Sequence, residues 1–284
     1  MLAAQPAWLT LPARDLTPLA EMERLLGENN LHTVCESASC PNVAECFERH
    51  TCTFMILGEV CTRACRFCGV TTGRPTEPDP QEPQRIARAA QFLRMRHVVV
   101  TSVTRDDLAD GGAEQFVATV RELRRLGDVT VEVLVPDFAG SSDALQQVLG
   151  VGPEVLGHNI ETVPRLYAEV RPRADYERSL QLIAAAARSG CTSKTGLMLG
   201  LGETLREVVE VLVDLREAGC DVVTLGQYLC PSNDCRPVTN YVPPATFAEL
   251  RRKAVALGFR ACVAGPLVRS SYLAEETHRE LAPK

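Results

Sequence analysis

Seven of the twelve cysteines, Cys35, Cys40, Cys46, Cys52, Cys61, Cys65 and Cys68, fall within one 34-residue stretch. Core packing would scatter them. A chain of 284 residues can bury a full-sized core and needs no covalent staples. The sequence shows no basic stretch leading into a long apolar one, and no apolar run approaches the roughly 18 residues of a membrane span. A cytoplasmic chain off the membrane is therefore expected, and clustered cysteines in that setting point to metal binding or catalysis rather than disulfides. The formal charge of −6 argues against a general nucleic-acid binder, which needs a basic surface to displace counterions. The short basic clusters Arg124-Arg125 and Arg251-Arg252-Lys253 read as solvated helix faces that could dock an acidic protein.

Residues 1 to about 50 alternate short amphipathic pieces with turns and read as an extension carrying the first cysteine group. From Thr53 onward, strand-like and helix-like stretches alternate. The strands are expected at Thr53–Leu57, His97–Val103, Val129–Val135, Glu154–Ile160, Ser193–Leu199 and Asp221–Leu225. Helical patterns are expected near Pro83–Met95, Gly112–Leu126, Asp143–Leu149, Tyr176–Ser189 and Leu205–Ala218. Six such units predict an α/β fold, a partial (β/α)6 TIM-like barrel over residues 51–260, followed by a short C-terminal segment over 261–284. In such a barrel the site lies at the C-terminal ends of the strands. The chemistry-bearing segments obey this: Gly58–Cys68, Thr104–Gly112, Glu161, Gly200–Thr204 and Gln227–Ser232 each follow a strand. An open doubly wound sheet is the alternative, but no G-x-G-x-x-G follows the first strand.

The segment Cys61-Thr-Arg-Ala-Cys65-Arg-Phe-Cys68 sets three thiols at C-x3-C-x2-C spacing on a loop after a strand. A four-iron cluster is usually held by four thiolates, so three leave one iron open to a small molecule. A zinc site is the alternative, although zinc prefers four closed ligands. The second group, Cys35-Glu-Ser-Ala-Ser-Cys40-Pro-Asn-Val-Ala-Glu-Cys46, again offers three thiols, at C-x4-C-x5-C spacing, and needs a fourth ligand from elsewhere.

The first motif, with Phe67 before its third thiol, resembles the radical S-adenosylmethionine superfamily. That resemblance implies a cluster on Cys61, Cys65 and Cys68 whose open iron chelates the methionine part of S-adenosylmethionine. One electron then splits the sulfonium to a 5′-deoxyadenosyl radical. The second motif, together with Arg269-Ser270-Ser271-Tyr272, resembles the lipoyl synthase family. The likeness runs through Thr53–Gly58, Arg105–Leu108, Asp110–Ala113, His158–Arg165, Gly196–Thr204 and Leu225–Leu229. It implies two 4Fe-4S clusters, the auxiliary one on Cys35, Cys40, Cys46 and one serine, with Ser271 preferred to Ser270. A hard oxygen donor on iron is more easily lost than a thiolate, which suits a cluster that is dismantled. The implied reaction inserts sulfur at C6 and C8 of an octanoyl chain amide-linked to a lysine, and the auxiliary cluster is the sulfur source. Implied partners are a lipoyl-carrier domain or glycine-cleavage H protein as substrate, a flavodoxin or ferredoxin as electron donor, and iron–sulfur assembly proteins.

Other residues enter with rival readings. Arg105, Asp106 and Asp107 sit where the superfamily holds the methionine amino group, but an aspartate there could also cap a helix. Asn159 and Glu161 end the fourth strand and are candidates for cofactor contact, as is Arg173. Glu203 reads as the cap of the following helix, since homolytic chemistry needs no general base. The five histidines show no metal-ligand spacing. Cys52, Cys230 and Cys235 depart from the family pattern, and Cys235 stands where a histidine is expected. With Cys191, Cys220 and Cys262, they read as packed or surface thiols. A biotin synthase relative shares the C-x3-C-x2-C loop but not the other two motifs, and a passive electron carrier would not cleave the cofactor.

Overall fold

The computed structural model describes residues 5–11 and 14–281. One sheet has eight strands whose spatial order follows the chain. A two-residue strand, His32–Thr33, is followed by Thr53–Ile56, His97–Ser102, Thr130–Leu134, Val155–Gly157, Thr192–Leu199, Val222–Gln227 and Ala261–Gly265. His32–Thr33 pairs antiparallel to its neighbour, placing Thr33 opposite Phe54. The pairs from Thr53–Ile56 to Thr130–Leu134, and from Thr192–Leu199 to Ala261–Gly265, are parallel. All six strands expected from the sequence are present, and Ala261–Gly265 adds one that the pattern did not announce.

The chain divides into two compact units. The first spans Pro12–Ala64 and Gly69–Val155. Its strands Thr53–Ile56 and His97–Ser102 are almost wholly buried and read as near-continuous apolar runs, the pattern of strands covered on both faces. Helix Ala113–Arg124 buries Phe116, Val117, Val120 and Leu123 on one side. Phe116 meets Phe138 edge to face at 6.3 Å between ring centres.

The second unit comprises the chain up to Leu11, Cys65–Cys68 and the chain from Leu156 on. Its core gathers Leu197, Leu199, Val223 and Leu225 from strands with Val208, Val211, Leu212 and Phe247 from helices. Helix Leu205–Glu217 begins with a capping box: Thr204 accepts from the Glu207 N–H, and the Glu207 carboxylate accepts from the Thr204 N–H at 2.8 Å. The expected cap, Glu203, instead turns back and accepts from the N–H groups of Gly200 and Leu201 at 2.6 and 2.9 Å. A carboxylate one residue before a threonine reaches the preceding loop, while the threonine has the short reach a cap needs.

Gly226 has a positional reason to be glycine. A Cβ there would overlap the carbonyl of Val268, so the bare Cα lets the segment leading to Arg269, Ser270 and Ser271 lie against the Val222–Gln227 strand. Gln227 fixes the same approach by donating its N–H to the Pro266 carbonyl at 3.2 Å. Gly226→Ala is expected to cost about 1–3 kcal/mol by overpacking. The cost should appear as a lower denaturation midpoint, together with faster amide exchange across residues 266–272. An unchanged midpoint and exchange would contradict the close approach.

Candidate functional site

In the first unit, the Cys61–Cys68 loop is anchored at its start. Val60–Cys61 pairs in parallel with Thr71–Thr72, and Gly73 N–H donates to the Cys61 carbonyl at 3.0 Å. Thr62 donates through both N–H and hydroxyl to the Thr104 carbonyl, and its hydroxyl accepts from Asp106 N–H, each at 3.0 Å. The neighbouring Arg63 side chain is only 7% exposed. Its Nε and Nη2 bind the Asp106 carboxylate at 2.8 and 2.7 Å, and Nη2 also lies 2.7 Å from Asp137. Burial opposes the charge on Arg63, but hydrogen bonds to Asp106 and Asp137 outweigh it and hold the guanidinium firmly protonated. Arg63 N–H also donates to Cys61 Sγ, 3.4 Å away.

The Arg105-Asp106-Asp107 run is therefore mostly engaged with the protein. Arg105 is buried and grips Asp107 through Nε and Nη2 at 2.9 and 2.8 Å. Its Nη1 reaches the Leu57 carbonyl at the end of the Thr53–Ile56 strand. The hydrogen bond from Arg105 keeps the Asp107 carboxyl below its ordinary range. Asp107 is the more open of the two aspartates, with its side chain 39% exposed against 17% for Asp106.

The N-terminal cysteines occupy the same unit. Cys35 sits on helix Val34–Ser37, whose Thr33 cap accepts from Glu36 N–H. Cys40 closes the next turn by donating its N–H to the Cys35 carbonyl at 3.0 Å, and Cys46 lies on helix Val43–Glu48. Arg14 clamps that helix through Glu45 and Glu48. Burial pushes the Cys35 thiol up to about 12, against a hydrogen bond from the Thr53 backbone, and the Cys46 thiol up to about 11. Both lie within electrostatic reach of Cys40. Cys52 is buried beside Cys35 and Cys46, also with its thiol pushed up by burial. Among the described residues, no three His, Cys, Asp or Glu side chains are closed around a point where a metal ion could sit. The donor chemistry of this group is nevertheless soft sulfur throughout, which fits thiophilic iron and not a hard cation.

In the second unit, Cys68 N–H donates to the Cys65 carbonyl at 3.1 Å, forming a tight turn. Arg66 N–H donates to Val170, and Arg66 carbonyl accepts from Arg236 N–H. Phe67 packs against the apolar core. Beyond it, polar groups gather where the strands end. Asn159 Nδ2 donates to Glu161 Oε1 at 3.0 Å and to Ser270 Oγ at 2.8 Å. Glu161 holds a left-handed backbone, φ 63°, opposite Leu197, its N–H donating to the Gly196 carbonyl and its carbonyl accepting from Met198 N–H, each at 2.9 Å. Burial pushes its carboxyl up, opposed by Arg171 and by the Asn159 hydrogen bond. Arg171 is buried, bonded to the carbonyls of Asn159 and Ile160 and to the Tyr167 hydroxyl, and its charge interacts with Glu161 and Cys65.

Two atoms of this cluster are buried with no partner among the described residues, Asn159 Oδ1 and Arg171 Nε. Such atoms carry a desolvation cost unless a ligand meets them. A bare Cα at Gly196 leaves room beside Asn159: a Cβ there would lie 2.8 Å from Asn159 Oδ1, 2.9 Å from Ser270 Oγ and 3.0 Å from Thr224 Oγ1. An unmet acceptor, an unmet cationic donor and a buried carboxyl fit a zwitterionic ligand such as an amino acid moiety. Arg173, expected among the cofactor contacts, lies at the surface, and Arg171 two residues earlier turns inward. Arg63, Asp137 and Arg171 were not singled out from the sequence. Arg63 alone carried a signal, its place inside the three-thiol motif.

The Radical SAM superfamily profile matches residues 55–215. The chain is 51% identical over 280 residues to the lipoyl synthase of Caldicellulosiruptor saccharolyticus, covering 98% of each sequence. It is 54% identical over 276 residues to that of Methylococcus capsulatus, covering 96% of this chain and 86% of the relative. Among solved structures, Streptococcus suis SuiB bound to S-adenosylmethionine matches with a TM-score of 0.56 at 12% identity. That match covers 83% of this chain, which spans about half, 51%, of SuiB. Methylornithine synthase, PylB, matches with a TM-score of 0.55 at 14% identity, covering 88% of this chain and 83% of PylB. These likenesses show the fold, the α/β partial barrel expected from the sequence.

Removing the cation from between Asp106 and Asp137 leaves buried carboxylates facing one another. Arg63→Met is expected to cost about 3–5 kcal/mol in denaturant unfolding of the metal-free chain. A loss under about 1 kcal/mol, the range of exposed ion pairs, would show that Arg63 does not organise the loop.

Proposed function

The chain belongs to the lipoyl synthase family of the radical S-adenosylmethionine superfamily, and on that footing we propose that its two cysteine triads hold two 4Fe-4S clusters with unequal fates. The reaction is insertion of two sulfur atoms, at C6 and C8, into an octanoyl chain carried in amide linkage on a protein lysine, giving lipoyl-lysine. The chain is thus a sulfurtransferase, and S-adenosylmethionine and iron–sulfur clusters are its cofactors.

Cys61, Cys65 and Cys68 hold the cluster that is retained. Bound there, a 4Fe-4S cluster with S-adenosylmethionine would supply radical chemistry able to remove hydrogen from an unactivated carbon. The chain's own groups bind and orient. Asn159 Oδ1 would accept from a donor of the cofactor, and Arg171 and the Glu161 carboxyl would face its zwitterionic end. Phe67 packs behind the turn that presents Cys65 and Cys68. Asp107, the more exposed of the two aspartates, is the member of the Arg105-Asp107 pair open to a ligand, while Arg105 fixes it.

Cys35, Cys40, Cys46 and Ser271 hold the second cluster, which is substrate: its sulfide leaves in the product. The choice of Ser271 is supported by Ser270, whose hydroxyl already accepts from Asn159. In this division, the extension through residue 50 brings the auxiliary thiols, residues 51–260 the radical machinery and residues 261–284 the serine.

The substrate is an octanoylated protein, which we take to be a lipoyl-carrier domain or a glycine-cleavage H protein. A flavodoxin or ferredoxin supplies electrons, and iron–sulfur assembly proteins rebuild the consumed cluster. Twelve cysteines held as thiols suit the reducing cytoplasm. No helix among the described residues is long and apolar enough to cross a membrane.

The observation that carries this reading is the presence of two separate three-thiol sets in a chain alike over nearly its whole length to lipoyl synthases. Cys40→Ala is expected to leave cleavage of S-adenosylmethionine to 5′-deoxyadenosine within a few-fold of the unaltered protein while abolishing sulfur transfer. Cys65→Ala should abolish both. Equal loss of both activities in the two variants would refute the division of labour.

A further inference from the structure

Cys230 and Cys235 take no part in the reaction described above. They lie in the loop after the Val222–Gln227 strand, and their side chains gather on one turn. The Ser232 carbonyl accepts from the Cys230 thiol at 2.9 Å and from the Cys235 N–H at 3.1 Å, so the chain folds back between the two cysteines. The Cys230 thiol also reaches the Cys235 carbonyl at 3.9 Å, and Cys235 Sγ lies 3.4 Å from the Ser232 hydroxyl. The Tyr228 hydroxyl is within electrostatic reach of both thiols and pins the loop by donating to the Arg236 carbonyl at 2.6 Å.

This turn rests on the Cys65–Cys68 segment. The Cys235 thiol donates to the Cys68 carbonyl at 3.5 Å, and Arg236 N–H donates to the Arg66 carbonyl at 2.6 Å. Arg236 continues the anchor through an ion pair with Glu169 and a hydrogen bond to Leu201.

We propose that Cys230 and Cys235 are a redox-responsive dithiol that closes to an intramolecular disulfide and, in closing, releases Cys235 from the Cys68 carbonyl. Disulfide geometry requires the two Cα atoms to lie within about 7 Å, which a folded-back turn favours. The two thiols differ in access, Cys230 being exposed and Cys235 half-buried. With glutathione disulfide as oxidant, the Cys230 sulfur attacks first and expels one glutathione. The Cys235 sulfur then attacks Cys230 in the mixed disulfide and expels the second. The pair gives up two protons and two electrons, one S–S bond forms as another breaks, and two glutathione thiols result. Closure withdraws the side-chain bond from Cys235 to the Cys68 carbonyl, so the cluster held by that segment should be lost more readily.

The test treats the anaerobically reconstituted holoenzyme with glutathione disulfide, alkylates remaining thiols and digests without reduction. Asp-N cleaves before Asp234 and separates the two cysteines. The expected result is a pair of peptides joined through Cys230 and Cys235, dispersed by a phosphine reductant and absent from Cys230→Ser and Cys235→Ser. In parallel, a chelator should bleach the cluster absorbance severalfold faster in the oxidised protein, and neither serine variant should respond to the oxidant. Alkylation of both cysteines, or a stable glutathione adduct on Cys230, overturns the disulfide. A linkage that leaves the bleaching rate unchanged overturns the coupling to the Cys65–Cys68 segment.

Discussion

The loop that carries Cys61, Cys65 and Cys68 depends on Arg63, a guanidinium set between Asp106 and Asp137 in the protein interior. A site with four closed ligands can organise its own loop, because the metal ties every ligand to a common centre. A site that must leave one coordination position open has one tie fewer, and the protein must supply the order. Arg63 supplies it from within the motif, holding the loop to the chain after the His97–Ser102 strand through Asp106 and to the chain after Thr130–Leu134 through Asp137. Burying these charges is costly, so the arrangement specifies a single loop geometry more than it adds stability.

The two cysteine groups differ in a way that suits the roles proposed for them. Cys35 and Cys46 are pushed up to about 12 and about 11 by burial, so in the absence of iron they rest as neutral thiols. Binding metal must displace those protons, and losing metal returns them. Under the proposed division, a site emptied in each catalytic cycle would revert to an uncharged, buried state that the fold tolerates. Cys61, by contrast, is only half-buried and accepts an N–H from Arg63.

Much of this was legible in the sequence because ligand spacing and strand alternation are local signals. The six expected strands were legible from apolar runs such as Val98-Val99-Val100, and the thiol groups from spacing alone. The strand Ala261–Gly265 was not, since Ala-Cys-Val-Ala-Gly lacks the β-branched density that marks a strand. Side-chain direction was the recurrent failure. Nothing in the order Arg171-Pro-Arg173 says which arginine turns inward, and Glu203 and Thr204 compete for one cap until the preceding loop takes the glutamate. Ser270 and Ser271 are likewise indistinguishable by spacing. The hydrogen bond from Asn159 to Ser270, 111 residues apart in the chain, is a tertiary fact.

The central claim is that one set of thiols keeps its cluster while the other gives it up. The most direct measurement is one turnover of anaerobically reconstituted protein with an octanoyl-lysyl peptide, S-adenosylmethionine and a reductant, followed by mass spectrometry of the peptide and iron analysis of the protein. The account predicts about eight irons per chain beforehand, a peptide that has gained two sulfurs, and about four irons retained afterward. Formation of 5′-deoxyadenosine with no sulfur on the peptide, or full sulfur transfer with all the iron retained, would contradict it.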